Sequence, residues 1–565
     1  MVTYDDGSDA PESNNTGTLS GIFSLSTNHK TIGLQYLWLA LASVLVGMVL
    51  SAILRWHTSW PDTAVPFFLA SLNQTPERFA ALRLLHGSLM VFFVLTAAPQ
   101  MGFGSFLLPL QIGANEMAFP SLNRLSFWMT FASFVGITLS FFYPLDRGVD
   151  IWLASAALFS LAALLSAINF IVTTIELRTP GMTLPHLPIT LWAWFLTAIL
   201  SMLIFSILLA GSVALLSDRL LGSEFYSAAR FLAEQPQNLV RQGSLPILWE
   251  RLFWYFAQAE VYVAMLPCFG IVTHLVATFA CKPVWKERLV VIALCGVGLV
   301  GFCVWGYHMF ATGMNPYAPM VFAVLASSLG FPAAVLLASW LGTLWQARVE
   351  FSASMLFALG FISLFIAGGL SGIFLARHDL SRAAVSEEFV VGHFHLVMGV
   401  AATFAILAAL FFWFPKLFDR RLSEPLGKLH FWLTFAGVYA IFMPMHWMGL
   451  LTQSRLLPDR QRLALGSAGF SIRSFVTLAT ICTVGAQLIF IFNFATTLLR
   501  RKSTGVEANP WRAATLEWTI PIVATREGSA ASPVVYRGAY EFLEKDSLAP
   551  VPQHLAPDLL PSRLR

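Results

Sequence analysis

Twelve stretches of about 20 or more apolar residues follow one another with short breaks, and that succession leaves the chain few folds to choose from. They cover approximately 33–55, 84–109, 124–143, 150–176, 189–216, 249–280, 288–311, 318–347, 351–376, 389–414, 430–452 and 471–499. A bilayer core offers no water to backbone N–H and C=O groups, so segments of this length span it as helices that satisfy those groups internally. Composition agrees: 57% of the 565 residues are hydrophobic and 11% charged, outside the range of soluble domains. Many of the 18 tryptophans fall near the ends of apolar runs, as interfacial anchors do. The expected fold class is an all-α membrane protein, a bundle of twelve transmembrane helices in a lipid bilayer.

Residues 1–25 are acidic and then rich in Ser, Asn, Gly and Thr, without a basic leader, and read as a disordered tail rather than a signal peptide. Residues 26–500 form the membrane domain and 501–565 a C-terminal tail. Lys30, Lys282, Lys286, Lys416, Lys428, Lys502 and Lys545 all fall in the tails or the even-numbered loops, which places both termini in the cytoplasm by the positive-inside rule. Arg219, Arg230, Arg241, Arg251, Arg455 and Arg460 fall on the other side and are less decisive. A net charge of +4 over this length points to no nucleic-acid partner. The five cysteines show no CxxC or zinc spacing and read as small buried hydrophobes.

The run FVVGHFHLVMGV, 389–400, carries two histidines where a membrane helix carries few ionisable groups. His393 and His395 are turned roughly 200° apart on a helix, so one helix can present an imidazole to each of two cofactors. Interhelical hydrogen bonding is the plainer alternative. His86, in RLLHGSLMVFF, is a further isolated histidine on an apolar helix, followed by Gly87. It is placed to pair with His395 as the second axial ligand of a six-coordinate haem, although on its own it reads equally as a packing residue.

The segments STNHKTIG (26–33), LHGSLMVFF (85–93), FLLPLQIGANEMAFPSLNRLSFW (106–128), WGYHMFATGM (305–314), GGLSGIF (368–374), VVGHFHLVMG (390–399) and NPWRAATLEW (509–518) together resemble subunit I of the haem-copper oxidases, most of all the cytochrome c oxidase (aa3-like) type. The resemblance runs in order from about residue 26 to about 543. It implies a twelve-helix bundle with a low-spin haem and a high-spin haem facing a copper ion. By motif, His86 and His395 match the low-spin haem ligands and His393 the high-spin haem ligand. Arg55 resembles the arginine that contacts the low-spin haem, and Arg455 one of two propionate-binding arginines, the other position being Leu456.

The chain departs from that pattern at the copper site. His-Pro-Glu-Val-Tyr of the family reads Gln258-Ala259-Glu260-Val261-Tyr262, and the family's paired histidines read Tyr307 and His308. One of three copper imidazoles remains, and an amide and a phenol are poor substitutes, so copper is expected to be absent or weak. Tyr262 keeps its place one turn after Gln258 without the histidine to which the family's tyrosine is joined. Gln258 and Tyr307 are alternatively read as hydrogen-bonding each other in a repacked pocket. Glu260 stands at the family's proton-transfer glutamate and Glu116 at its proton-uptake aspartate. The second proton route of the family is expected to be closed here, since its Pro-Thr-Gly-Ile-Lys becomes Pro332-Ala333-Ala334-Val335-Leu336. Val385-Ser386 replaces the family's His-Asp magnesium pair.

The expectation is a haem-bearing electron-transfer subunit I of a cytochrome c oxidase-like respiratory complex in a bacterial inner membrane. It would carry two haems and work with subunit II- or III-like partners. Two of the three copper-ligating histidines are replaced, so the resemblance stops short of implying ordinary oxygen reduction. The alternatives are a terminal oxidase with an altered active site and a non-catalytic haem-binding structural subunit. No CxxCH motif is present, so electrons are expected from another chain, such as cytochrome c or another redox protein.

Overall fold

Each apolar stretch folds into a helix, and the ends follow local signals. The computed structural model describes residues 23–61, 63, 65, 75–226, 247–312, 317–376, 387–453, 459–500, 507, 509–519, 533–542 and 550–556. The helices are α1 His29–Ser59, α2 Pro76–Ile112, α3 Pro120–Ser140, α4 Leu145–Glu176, α5 Ile189–Leu221 and α6 Ile247–Ala280. They continue with α7 Glu287–Cys303, α8 Ala318–Leu344, α9 Ala353–Ala376, α10 Glu387–Phe418, α11 Glu424–Gln453 and α12 Asp459–Leu499. Asn28 caps α1 by accepting from the Lys30 N–H (2.9 Å), and Thr75 caps α2 by accepting from the Arg78 N–H (3.3 Å). Gly113 and Gly222 end α2 and α5 at φ 75° and 68°, a conformation that a Cβ disfavours.

Eleven of these helices, among the described residues, are long and apolar enough to cross a membrane, and α3 is the one outside that set. Its 21 residues have the length, but one side carries Asn123, Ser126, Thr130 and Ser133, all buried. Ser126 donates to Ala162 O (2.8 Å) and Ser133 to Ser155 O (2.7 Å), both on α4, while the Tyr36 hydroxyl of α1 lies 2.8 Å from Ser126 Oγ. That polar face lowers the mean hydropathy without exposing anything polar to lipid.

Helix α6 is the most enclosed of these helices, its apolar stretch almost wholly buried, so side chains placed on it face other helices. Two helices widen to π geometry, at Leu89–Gly104 in α2 just after His86 and at His395–Gly399 in α10. Such wide turns occur most often at functional sites.

The C-terminal segment is docked against one end of the bundle. Trp511 Nε1 donates to Phe412 O (2.8 Å), and Asn509 closes its own turn on Ala513 in both directions (2.9 Å each). Glu517 Oε1 accepts from Gln111 Nε2 (3.0 Å) and Trp413 Nε1 (3.4 Å), so the motif NPWRAATLEW stoppers the helix ends.

Candidate functional site

His86, His393 and His395 share one arrangement. His86 Nδ1 lies 2.9 Å from Gly47 O of α1, and His395 Nδ1 lies 2.8 Å from Val391 O one turn back. His393 Nδ1 lies 3.0 Å from Gly368 O of α9, with Ser371 Oγ also at 3.0 Å. A carbonyl only accepts, so in each ring Nδ1 carries the proton and Nε2 keeps its lone pair. None of the three Nε2 atoms has a hydrogen bond to any described residue. A neutral imidazole oriented by a backbone carbonyl, with the opposite nitrogen free, is the donor that a metal requires.

His395 and His86 lie within electrostatic reach of each other, and Arg55 within reach of both. The Arg55 guanidinium makes no hydrogen bond to any described residue, although it sits in the helix packing near Glu388. The His395 ring stacks on Phe442 (4.7 Å between centroids, 13° between planes). An apolar gap of about 110 Å³ opens between α1, α2, α10 and α12, lined among others by Val44, Val94, Phe103, Ile406 and Leu410. Two imidazoles that each keep an Nε2 lone pair, with the Arg55 guanidinium nearby and unbonded among the described residues, are a donor set that would suit a haem.

The pocket that would hold copper is built differently. Gln258 Nε2 donates to the Tyr262 hydroxyl (3.4 Å), while the Tyr307 hydroxyl donates to Leu375 O. The expectation that Gln258 and Tyr307 bond to each other is therefore replaced: each finds a nearer partner, Gln258 one turn along α6 and Tyr307 across on α9. His308 stacks on Trp254, with centroids 4.4 Å apart and planes at 23°. Among the described residues no three His, Cys, Asp or Glu side chains converge as a metal site.

Over residues 31–488 the sequence matches the family described as cytochrome c and quinol oxidase polypeptide I. The chain belongs to that family. It is 37% identical over 550 residues to the alternative cytochrome c oxidase subunit 1 of Bradyrhizobium diazoefficiens, spanning 92% of this chain and 90% of the relative. It is 31% identical over 542 residues to the cytochrome c oxidase subunit 1 of a Synechocystis species, covering 92% of each. The fold is similar to that of a haem-copper terminal oxidase dimer solved by cryo-electron microscopy, with a TM-score of 0.68, 15% identity and 85% of each chain covered. As a polypeptide I, the chain is a haem-bearing respiratory oxidase subunit and an integral membrane protein.

In this polypeptide I the proton-handling candidates sit in contrasting places. Glu260 is 2% exposed; its Oε1 accepts from the Thr96 hydroxyl and its Oε2 is buried without a partner among the described residues. Glu116, in the loop between α2 and α3, is half-buried and accepts from the His29 N–H (3.1 Å). Burial pushes its carboxyl above the usual range, against the opposing pull of that N–H and of Lys30. The buried hydroxyls of α3 begin beyond Glu116, a feature the apolar reading of 124–143 passed over. Leu336, expected to close the second proton route, is fully buried on α8. Arg455, Leu456, Val385 and Ser386 lie outside the residues whose side chains are described.

Sequence reasoning also missed His446, whose Nδ1 lies 2.7 Å from Phe442 O while its buried Nε2 has no partner among the described residues. It packs against Phe389 at 4.8 Å, and its only sequence signal was a lone histidine in an apolar helix.

Proposed function

We propose that this polypeptide I carries two haems and conducts electrons within a bacterial inner-membrane respiratory complex, with His86 and His395 as axial ligands of a low-spin haem and His393 as ligand of a second. The observation that carries this is the shared orientation of the three rings, each with Nδ1 on a backbone carbonyl and Nε2 without a partner among the described residues. When bound, the haems supply one-electron redox chemistry. The protein's own residues orient the ligand nitrogens, present Arg55 to the polar edge and hold a protonatable carboxyl, Glu260, in the interior. Counting α3, the bundle has twelve membrane helices, with 1–25 and 501–565 as tails and both termini in the cytoplasm, on the side of the lysines. Electrons arrive from a partner subunit or a donor such as cytochrome c.

The second pocket supports no ordinary copper centre. Gln258 and Tyr307 are engaged with Tyr262 and Leu375, and His308 is stacked on Trp254. Retention of Glu260 and Tyr262 on the most enclosed helix favours, as the second reading, a terminal oxidase with an altered active site.

A haem and metal inventory of the purified complex, followed by oxygen uptake with a reducing donor, tests the proposal. Two haems that the donor reduces, without rapid oxygen uptake, support electron conduction. Rapid oxygen conversion supports the altered oxidase, and haem that no donor reduces supports a structural role. One haem or none removes the proposal.

A further inference from the structure

The backbone carbonyls of Arg55, near the end of α1, and Arg473, about four turns into α12, converge on one hydroxyl. The Thr477 Oγ1 lies 3.0 Å from the carbonyl oxygens of both arginines, and Ser59 Oγ is 2.6 Å from the same atom. Two guanidinium groups carried by neighbouring backbone positions in a helical bundle are costly to desolvate, so the arrangement favours an anion beside them.

Glu388 is that anion. It lies at the start of α10, seven residues before His395, which is about two helical turns and places it on the same face of the helix. Its Oε1 accepts from Arg473 Nη2 at 3.0 Å, with side-chain exposures of 22% for Glu388 and 40% for Arg473. Arg55 lies within electrostatic reach of Glu388 on one side and of His86 and His395 on the other. The adjacent Glu387 pairs instead with Arg83 at 2.8 Å, and that pair is largely exposed, at 74% and 53%. Solvent screens the outer pair and shields the inner one far less.

We infer that Glu388, held by Arg473, is a positioning residue for the low-spin haem site: it keeps Arg55 facing the space between His86 and His395 and tunes the field there with its negative charge. This rests on the two-haem reading above. Two cations and one anion leave a net single positive charge beside the haem edge. Removing the anion favours the reduced haem, and removing Arg473 favours the oxidised one.

The test is a redox titration of the low-spin absorption band in the full complex. Glu388→Gln should change the reduced-to-oxidised ratio at fixed potential about tenfold toward reduced, equivalent to about 59 mV for a one-electron couple. Arg473→Gln should shift the ratio the opposite way, and the double variant should return close to the unaltered protein. Glu388→Asp, which keeps the charge, should restore most of the potential, and Glu387→Gln should move it little. Where Glu388→Gln fails to assemble, Glu388→Asp and Arg473→Gln carry the test. Shifts of the same sign in the two single variants, or none with the low-spin band intact, overturn the role of Glu388 and leave the haem reading standing. Absence of a low-spin band from the unaltered complex overturns the haem reading and this inference with it.

Discussion

Gln258 and Tyr262 face each other one turn apart on α6, the amide donating to the phenol across 3.4 Å. An imidazole at position 258 would offer a lone pair to a metal, whereas this amide spends its donor on the residue that would flank the same metal. The consequence lies in ligand count. Cu(I) and Cu(II) favour nitrogen or sulfur donors, and His308 is the one imidazole left among the copper positions.

The purified complex should therefore contain no stoichiometric copper in this pocket once a partner's copper is subtracted. Gln258→His alone should not change that, since it yields two imidazoles. Gln258→His combined with Tyr307→His should bring copper close to one per chain by elemental analysis. One copper per chain in the unaltered protein, with rapid conversion of oxygen to water, would sink this reading.

Replacing His86 or His395 with alanine should remove the low-spin haem band and leave the second haem in place. Each ring presents an otherwise unpartnered Nε2, and neither Gly47 O nor Val391 O can take over as a ligand to iron. His393→Ala should do the reverse. Optical and paramagnetic resonance spectra of the three variants separate these outcomes, and a low-spin band that persists in either of the first two removes the assignment.

Glu260→Gln should slow proton uptake linked to haem reduction by on the order of a hundredfold, the scale on which a positioned acid–base group contributes. Thr96→Val removes the hydroxyl that donates to Oε1 and should have a smaller effect in the same assay. Leu336→Lys should not restore a second route, because Ala333 still lacks the hydroxyl that the family places beside the lysine. Unchanged uptake in Glu260→Gln would show that protons travel elsewhere.

What could be read from the sequence was whatever a single segment carries. The apolar runs set the helices, and an ionisable residue inside one is conspicuous, which is how His86, His393 and His395 stood out, whereas Glu260 came from its match to the family motif. Pairings between distant segments were not legible. Glu388 resembles any acid in a helix's first turn until Arg473, 85 residues later, is seen against it. The α3 stripe of Asn123, Ser126, Thr130 and Ser133 diluted an apolar run instead of announcing itself, since its partners on other helices lie on α1, α2 and α4. Tyr307 was set beside Gln258 because both occupy copper positions, and the three-dimensional choice of Leu375 O had no local signal.

The same limit applies to Glu517, which the sequence showed only as part of a tail motif. It is buried among Gln111, Trp413, His274 and Lys416, all from other segments, with Oε2 unpartnered among the described residues and His274 Nε2 3.8 Å from Oε1. Burial raises its carboxyl above the ordinary glutamate value, opposed by hydrogen bonds from Thr515, Gln111 and Trp413. A raised pKa means that the docked segment holds a proton which a free glutamate has already lost. The stabilisation is complete below the ordinary glutamate range and is lost as pH rises through the raised value. Limited proteolysis within 509–519 should accordingly speed up with rising pH over that window. Glu517→Gln keeps an acceptor for Gln111 and Trp413 but cannot ionise, so its cleavage rate should stay flat with pH. Glu517→Ala leaves Gln111 and Trp413 without their acceptor and should destabilise the docked segment by about 3 kcal/mol, cutting fastest of all. A pH profile shared by the unaltered protein and Glu517→Gln would place the titrating group elsewhere, with His274 and Tyr540, 3.1 Å apart in the same cluster, the next to examine.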